Sequence, residues 1–233
     1  MGVRWIGGLL ADCRAAVVTP GFGCGLLLML LLTVASVAFV DRPVALFMHQ
    51  HTEYRAVLHA MTMIPEFLGV LAAVTIVVGG AIRVLRGPLT GAASVVMLAS
   101  LSMLLGEGLK TLLKIVFGRS WPETFWNNNP SFIQDGVYGF SPFQGIGPGF
   151  GSFPSGHTTA ACSALVVLWL LWPRGRPVYA VLILATAMGL VGRNYHFVAD
   201  VIAGGGLGIL VAVATVRIAA KRRLRGIAVE RVR

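Results

Sequence analysis

Phe153-Pro154-Ser155-Gly156-His157 stands directly before an apolar run, where the N-terminus of a helix would present unpaired N–H groups and the positive end of its dipole. Ser155, Gly156 and His157 could together cradle an anion there, with glycine letting the backbone come close. Taken alone, the same residues also read as a turn and a helix cap. Forty residues on, Arg193-Asn194-Tyr195-His196-Phe197-Val198-Ala199-Asp200 leads into a second apolar run. His196 and Asp200 are four apart and share a helix face. A carboxylate so placed can hold one imidazole nitrogen protonated and leave the other free as a nucleophile. A lone membrane histidine is often only a polar contact, but two at span ends, one with a carboxylate at helical spacing, argue for chemistry because intramembrane ionisable groups are costly.

A third cluster, Lys114-Ile115-Val116-Phe117-Gly118-Arg119-Ser120-Trp121-Pro122-Glu123, ends another apolar run. Lys114 and Arg119 are fixed cations available to phosphate oxygens, arginine as a planar fork and lysine as a point charge. Glu107, Lys110 and Lys114 fall on one helix face, where Glu107 and Lys110 read as a pair that neutralises itself.

The elements that must position these residues are membrane spans. The 233 residues are 56% apolar and 12% charged, with a mean hydropathy of +0.80, far more apolar than a soluble domain. Apolar stretches near 21–40, 66–84, 89–109, 158–172, 178–192 and 197–216 each approach the roughly 20 residues that cross the hydrocarbon core. The fifth is short and calls for extension through Asn194 or for a local thinning of the bilayer. The expected fold class is therefore all-α, a polytopic helical bundle of about six transmembrane helices forming one domain over 1–233. Its active-site region is 107–204. Segment 41–65 reads as an outer connection with an interfacial helix, and 118–157, rich in Gly, Pro, Asn and aromatics, as an outer loop of functional length.

Thirteen of the 19 basic residues, from Arg4 and Arg14 to the tail at 217–233, fall on one side if the N-terminus is cytoplasmic. That asymmetry predicts cytoplasmic termini and an outward-facing 118–157. The net charge of +10 is concentrated at span ends and anchors the chain near anionic lipid, which argues against a nucleic-acid partner. Cys13, Cys24 and Cys162 form no disulfide framework or zinc motif. Ser36-Val37-Ala38 resembles a signal cleavage site, but the long preceding segment and apolar run favour an uncleaved first span.

In order and placement the three clusters resemble the type 2 phosphatidic acid phosphatase family, with motifs K-x6-R-P, P-S-G-H and S-R-x5-H-x3-D. Pro154-Ser155-Gly156-His157 matches the second completely, and His196 and Asp200 match the end of the third. The resemblance implies a membrane lipid phosphatase for which the bilayer and a lipid phosphate are the partners and no metal or other cofactor is needed. It implies that His196 attacks phosphorus, oriented by Asp200, while His157 serves as acid and base. Lys114, Arg119, Arg193, Ser155 and Gly156 would hold the phosphate. Two positions depart from the pattern: Trp121 replaces the arginine before proline, and Gly189-Leu190 replaces Ser-Arg. Arg119 and Arg193 are the nearest substitutes. The location implied is a bacterial inner membrane with a periplasmic-facing site. The competing readings are a transporter or channel, which would carry its polar groups at mid-span, and an inactive relative.

Overall fold

A computed structural model describes residues 20–51, 53–125, 128–145 and 149–230, without the side chains of 20 and 223–230. Arg4, Cys13, Arg14, Trp126, Arg231 and Arg233 lie outside the described residues, as do the side chains of Arg223 and Arg225.

The helices are α1 (Pro20–Ala35), α2 (Asp41–Gln50), α3 (Arg55–Thr62), α4 (Ile64–Arg86), α5 (Gly91–Phe117), α6 (Phe132–Asp135), α7 (Gly156–Leu171), α8 (Arg176–Gly192) and α9 (Val198–Glu230). Five helical runs are long and apolar enough to cross a membrane: Gly21–Gln50, Arg55–Arg86, Gly91–Phe117, Pro173–Gly192 and Val198–Arg222. With α7, a shorter apolar helix, they give six apolar helical runs, counted as passes below. The all-α bundle is as expected; several boundaries are not.

The first pass does not stop near residue 40. A π-helical turn, Ser36–Val40, joins α1 to α2, directly before Pro43, whose missing N–H and bulky ring disturb the regular ladder one turn back. Asp41, assigned to an outer connection by its sequence, is thereby buried in the bundle. The fifth pass gains length at its start, through the 3-10 turn Pro173–Gly175, rather than through Asn194, which has a positive φ of 53°. The sixth continues as helix into the basic tail as far as Glu230.

α7 is the centre of the bundle, packed by α4, α5, α8 and α9. Its 16 residues reach roughly 24 Å at 1.5 Å per residue, less than the hydrocarbon thickness. Enclosure by longer neighbours removes the need to span lipid alone, and a helix apolar on all sides is suited to that position. Small residues set the spacing. A Cβ on Gly204 or Gly208 of α9 would come 2.5 Å from Ser155 O and 2.6 Å from Cys162 Cβ, and one on Gly106 of α5 would come 2.3 Å from Ser163 Oγ. Backbones in contact across such positions gain dispersion energy where lipid offers no hydrophobic gain.

Exposed apolar side chains include Leu27, Leu30, Val34, Val74, Val77 and Leu184, suitable for acyl chains and unsuitable for water. All three chemistry-bearing clusters sit at one end of the bundle, at the close of α5, the start of α7 and the turn between α8 and α9.

Candidate active site

α5 ends at Gly118, whose φ of 54° is left-handed; a Cβ there would also meet Ser141 O at 1.9 Å, so only glycine fits this exit from the helix. The turn delivers Arg119 inward, fully buried. Its Nη1 donates to Asp200 Oδ1 at 2.5 Å and its Nη2 to Asp41 Oδ2 at 2.6 Å. Phe197, Phe140 and Tyr138 surround the guanidinium, with ring centroids 4.4, 4.9 and 5.3 Å away. Burial alone would lower its pKa, but Asp200 and Asp41 outweigh that and raise it above the ordinary value. Asp41 also accepts from the Ala199 N–H at 2.9 Å, tying the first pass to the start of the last.

Asp200 is thus held from several sides. Oδ2 accepts from the Phe197 N–H at 3.0 Å and from the Ser152 hydroxyl. The same oxygen lies 3.5 Å from His196 Nδ1, the outer limit of a hydrogen bond. The His196 ring is almost fully buried. Burial drives its pKa down from 6.5 to about 4, with Asp200 opposing, so the ring is neutral at physiological pH. Trp121 packs beside it, ring centroids 5.2 Å apart.

Nδ1 faces Asp200 and Ser152, and the residue also lines a cavity of about 690 Å³. Lys114, Gly156 and His157 line the same cavity, so four of the residues singled out in sequence meet there, with Asp200 directly behind. The other three are placed elsewhere. Arg119 is committed to its two aspartates. Ser155 caps α7, its Oγ accepting from the Thr158 N–H at 3.4 Å, while its own N–H donates to Asp200 O at 3.0 Å; that amide is taken. Arg193 donates to Tyr195 Oη at 3.1 Å and stacks over that ring at 5.2 Å, and Tyr195 rather than Arg193 lines the cavity.

The two departures from the family pattern now have physical reasons. Gly189 lies against α3, where a Cβ would come 2.7 Å from Leu58 O, and Leu190 is fully buried; this helix face is sealed by packing and has no space for an arginine. Leu190 O instead accepts the N–H groups of Tyr195 at 3.0 Å and His196 at 3.3 Å, fixing the turn that carries the histidine. Trp121, in place of the arginine before proline, forms a wall of the cavity beside His196, with Lys114 Nζ 5.4 Å from its ring centroid.

Sequence reasoning missed four participants. Lys110 lines the cavity, and its Nζ would be 3.0 Å from a Cβ on Gly156. It is paired with Glu107 at 3.0 Å as expected, but the pair faces the site. Helical spacing from Lys114 was the available signal for it. Asp41, Ser152 and Glu66 come from distant segments, and no local spacing announces them. Glu66 Oε1 lies 3.1 Å from His157 Nε2.

Comparison with known proteins identifies relatives of the chain. Two lipid A 1-phosphatases, from Rhizobium etli and Rhizobium johnstonii, are each 34% identical over 113 and 107 residues, covering 47% and 46% of this chain and 45% and 41% of theirs. The alignments thus span less than half the length of these curated relatives. A solved structure, the transmembrane PAP2-type phosphatidylglycerolphosphate phosphatase from Bacillus subtilis, aligns over 94% of this chain and 96% of its own with 18% identity and a TM-score of 0.40. Residues 95–224, which include the first, second and third clusters, match the PAP2 superfamily, and this multi-pass membrane chain belongs to it.

Proposed function

We propose that the protein is a lipid phosphatase that removes phosphate through a phosphohistidine intermediate. The observation that carries this reading is the makeup of the cavity that His157 and His196 both line. Along α5 it is lined by Lys114, Lys110, Glu107 and Met103, and along α4 by Glu66, Gly69, Val70 and Ala73. These positions share a face of each helix, and the α5 set extends roughly 16 Å along the axis. One stretch offers cations and imidazoles together with the carboxylates of Glu66 and Glu107, and Met103, Gly69, Val70 and Ala73 add an apolar stretch, which suits a phosphate joined to an acyl chain.

In this mechanism Asp200 accepts the Nδ1–H of His196 and leaves Nε2 as the nucleophile. Attack forms the P–N bond as the P–O bond to the lipid breaks, and His157 gives its proton to the departing oxygen. Water, deprotonated by His157, then cleaves the P–N bond. Lys114, Lys110 and the first N–H groups of α7 at Gly156 and His157 stabilise charge on the transferring phosphoryl oxygens. Arg119 serves Asp200 rather than phosphate. The chemistry assigned to these residues calls for no metal.

The names of the curated relatives make lipid A 1-phosphate the first substrate to try, and the charge asymmetry of the sequence supports an outward-facing site in a bacterial inner membrane. The test is phosphate release by purified protein from lipid A 1-phosphate, phosphatidic acid, phosphatidylglycerol phosphate and an isoprenyl diphosphate, with chelator present. Release from at least one lipid in chelator is the expected result; strict dependence on added magnesium would overturn the histidine mechanism. A transport reading is disfavoured because the ionisable side chains gather at one end of the bundle instead of at mid-span.

A further inference from the structure

Glu66 occupies the first turn of α4, within a segment that precedes the family-matched residues 95–224. An acidic residue near a helix N-terminus is electrostatically favourable there, which would account for its presence but not for its direction. Its Oε1 is 3.1 Å from Nε2 of His157, on a different helix, and both residues line the cavity. The Glu66 side chain is 58% exposed and that of His157 37%, so the contact is not a by-product of core packing. The charged and titratable groups that share the cavity with His157 are Glu66 from α4, Glu107, Lys110 and Lys114 from α5, His59 from α3 and the neutral His196 ring from the turn before α9. The two lysines oppose a proton on His157. Glu107 is engaged with Lys110 at 3.0 Å, which leaves Glu66 as the carboxylate in contact with the ring.

We propose that Glu66 is the positioning residue of the acid–base histidine, a role that rests on the histidine mechanism above. By accepting the Nε2–H of His157 it fixes the tautomer and makes Nδ1 the atom that carries the transferable proton. In the first half-reaction the imidazolium gives its Nδ1 proton to the ester oxygen as the P–O bond breaks, and the ring becomes neutral. In the second, Nδ1 takes a proton from water as the water oxygen bonds to phosphorus and the P–N bond breaks. The imidazolium is regenerated beside Glu66, whose charge offsets that of the two lysines at both stages. The two histidines are thus each backed by a carboxylate, His196 by Asp200 in the first turn of the helix that follows it and His157 by Glu66 of a neighbouring helix.

The experiment compares full-length wild type with Glu66→Gln, Glu66→Asp and Glu66→Ala in mixed micelles. The probes are phosphatidic acid or lipid A 1-phosphate, whichever wild type turns over faster, and p-nitrophenyl phosphate, whose leaving group needs little protonation. Glu66→Gln should lose about 10- to 100-fold in kcat/KM on the lipid, a part of what general acid catalysis supplies, and much less on the aryl ester. The alkaline limb of its lipid pH profile should move to lower pH, and Glu66→Asp should recover part of both effects. Equal losses on the two probes with an unmoved limb would overturn the assignment and leave Glu66 a structural or binding residue. Failure of wild type to accumulate labelled phosphohistidine would overturn the underlying mechanism instead, so the two failures are distinguishable.

Discussion

Arg119 and Asp200, 81 residues apart, meet as a fully buried ion pair at 2.5 Å, and Asp41 holds the opposite edge of the same guanidinium at 2.6 Å. The fork geometry of arginine is what allows one residue to bridge two carboxylates. Deleting it would leave two buried aspartates facing each other, a loss of about 3–5 kcal/mol for a broken buried pair. Arg119→Ala should therefore unfold at a markedly lower temperature. Arg119→Lys, which keeps the charge but cannot span both partners, should fold with reduced kcat and little change in KM. A Lys variant with normal kcat and a large rise in KM would make Arg119 a phosphate ligand after all.

The cavity cations make the contrasting case. Lys114 and Lys110 line the site and Arg193 does not. Removing one charge-assisted contact to a phosphate costs about 1.5–3 kcal/mol, or roughly 10- to 150-fold in kcat/KM. Lys114→Met and Lys110→Met should each lose activity on that scale, with Arg193→Ala close to wild type. Steady-state kinetics on the best lipid substrate checks this, and an Arg193→Ala loss as large as that of Lys114→Met would mean the turn before α9 moves toward substrate.

Helices were legible in the sequence because each pass is a long apolar run, and the two candidate histidines because local sequence marks them: His157 follows a helix-starting serine, and His196 stands four residues before Asp200, although it lies in the turn ahead of α9 and not on the helix face that the spacing suggested. The sequence was less informative where tertiary contact decides. Asp41 looked like a loop acid because a charge just after an apolar run usually reports the membrane edge; its partner lies 78 residues away. Arg119 looked like a phosphate ligand because its type and position fit one, and only the aspartates on two other helices reveal its commitment. Arg193 stacks on Tyr195, two residues on, a contact that its position in the sequence does not announce.

His196 should titrate far from the usual imidazole range. Burial lowers its pKa to about 4, so the neutral, nucleophilic ring persists as pH falls through 6.5 and is lost only near 4. The sign follows from desolvation penalising the charged form more than Asp200 favours it. The rate of phosphoenzyme formation, quenched with alkali after brief exposure to each pH, should accordingly hold its histidine-dependent plateau down to about pH 5. An acid limb centred near 6.5 would show an exposed, solvated ring in place of the buried one.

Orientation is testable with single cysteines in a cysteine-free background. Val137 is an exposed position in the loop between α5 and α7, and Arg86 ends α4 at the other end of the bundle. The excess of basic residues near Arg86 and the tail predicts that this end is cytoplasmic. An impermeant maleimide added to intact cells should label Val137→Cys and spare Arg86→Cys until the membrane is opened. The reverse pattern would invert the protein.

The covalent step separates this mechanism from metal-dependent hydrolysis and from transport. His196 is the nucleophile in this reading because Asp200 Oδ2 stands at its Nδ1, 3.5 Å away, and an imidazole held by one nitrogen presents the other. His157 is contacted by Glu66 at Nε2 and opens on the same cavity, the placement of a proton carrier rather than an attacking group. Replacing His157 should therefore slow transfer from a lipid alkoxide far more than from an aryl ester, whereas replacing His196 should abolish both. A phosphoramidate is labile in acid and stable in base, the reverse of phosphoserine. Rapid mixing with phosphorus-labelled substrate and an alkaline quench should trap label on wild type and none on His196→Ala. With His157→Ala the label should build up from the aryl ester, because the base that activates water is missing while attack proceeds. Undiminished label on His196→Ala would remove His196 from the role of nucleophile.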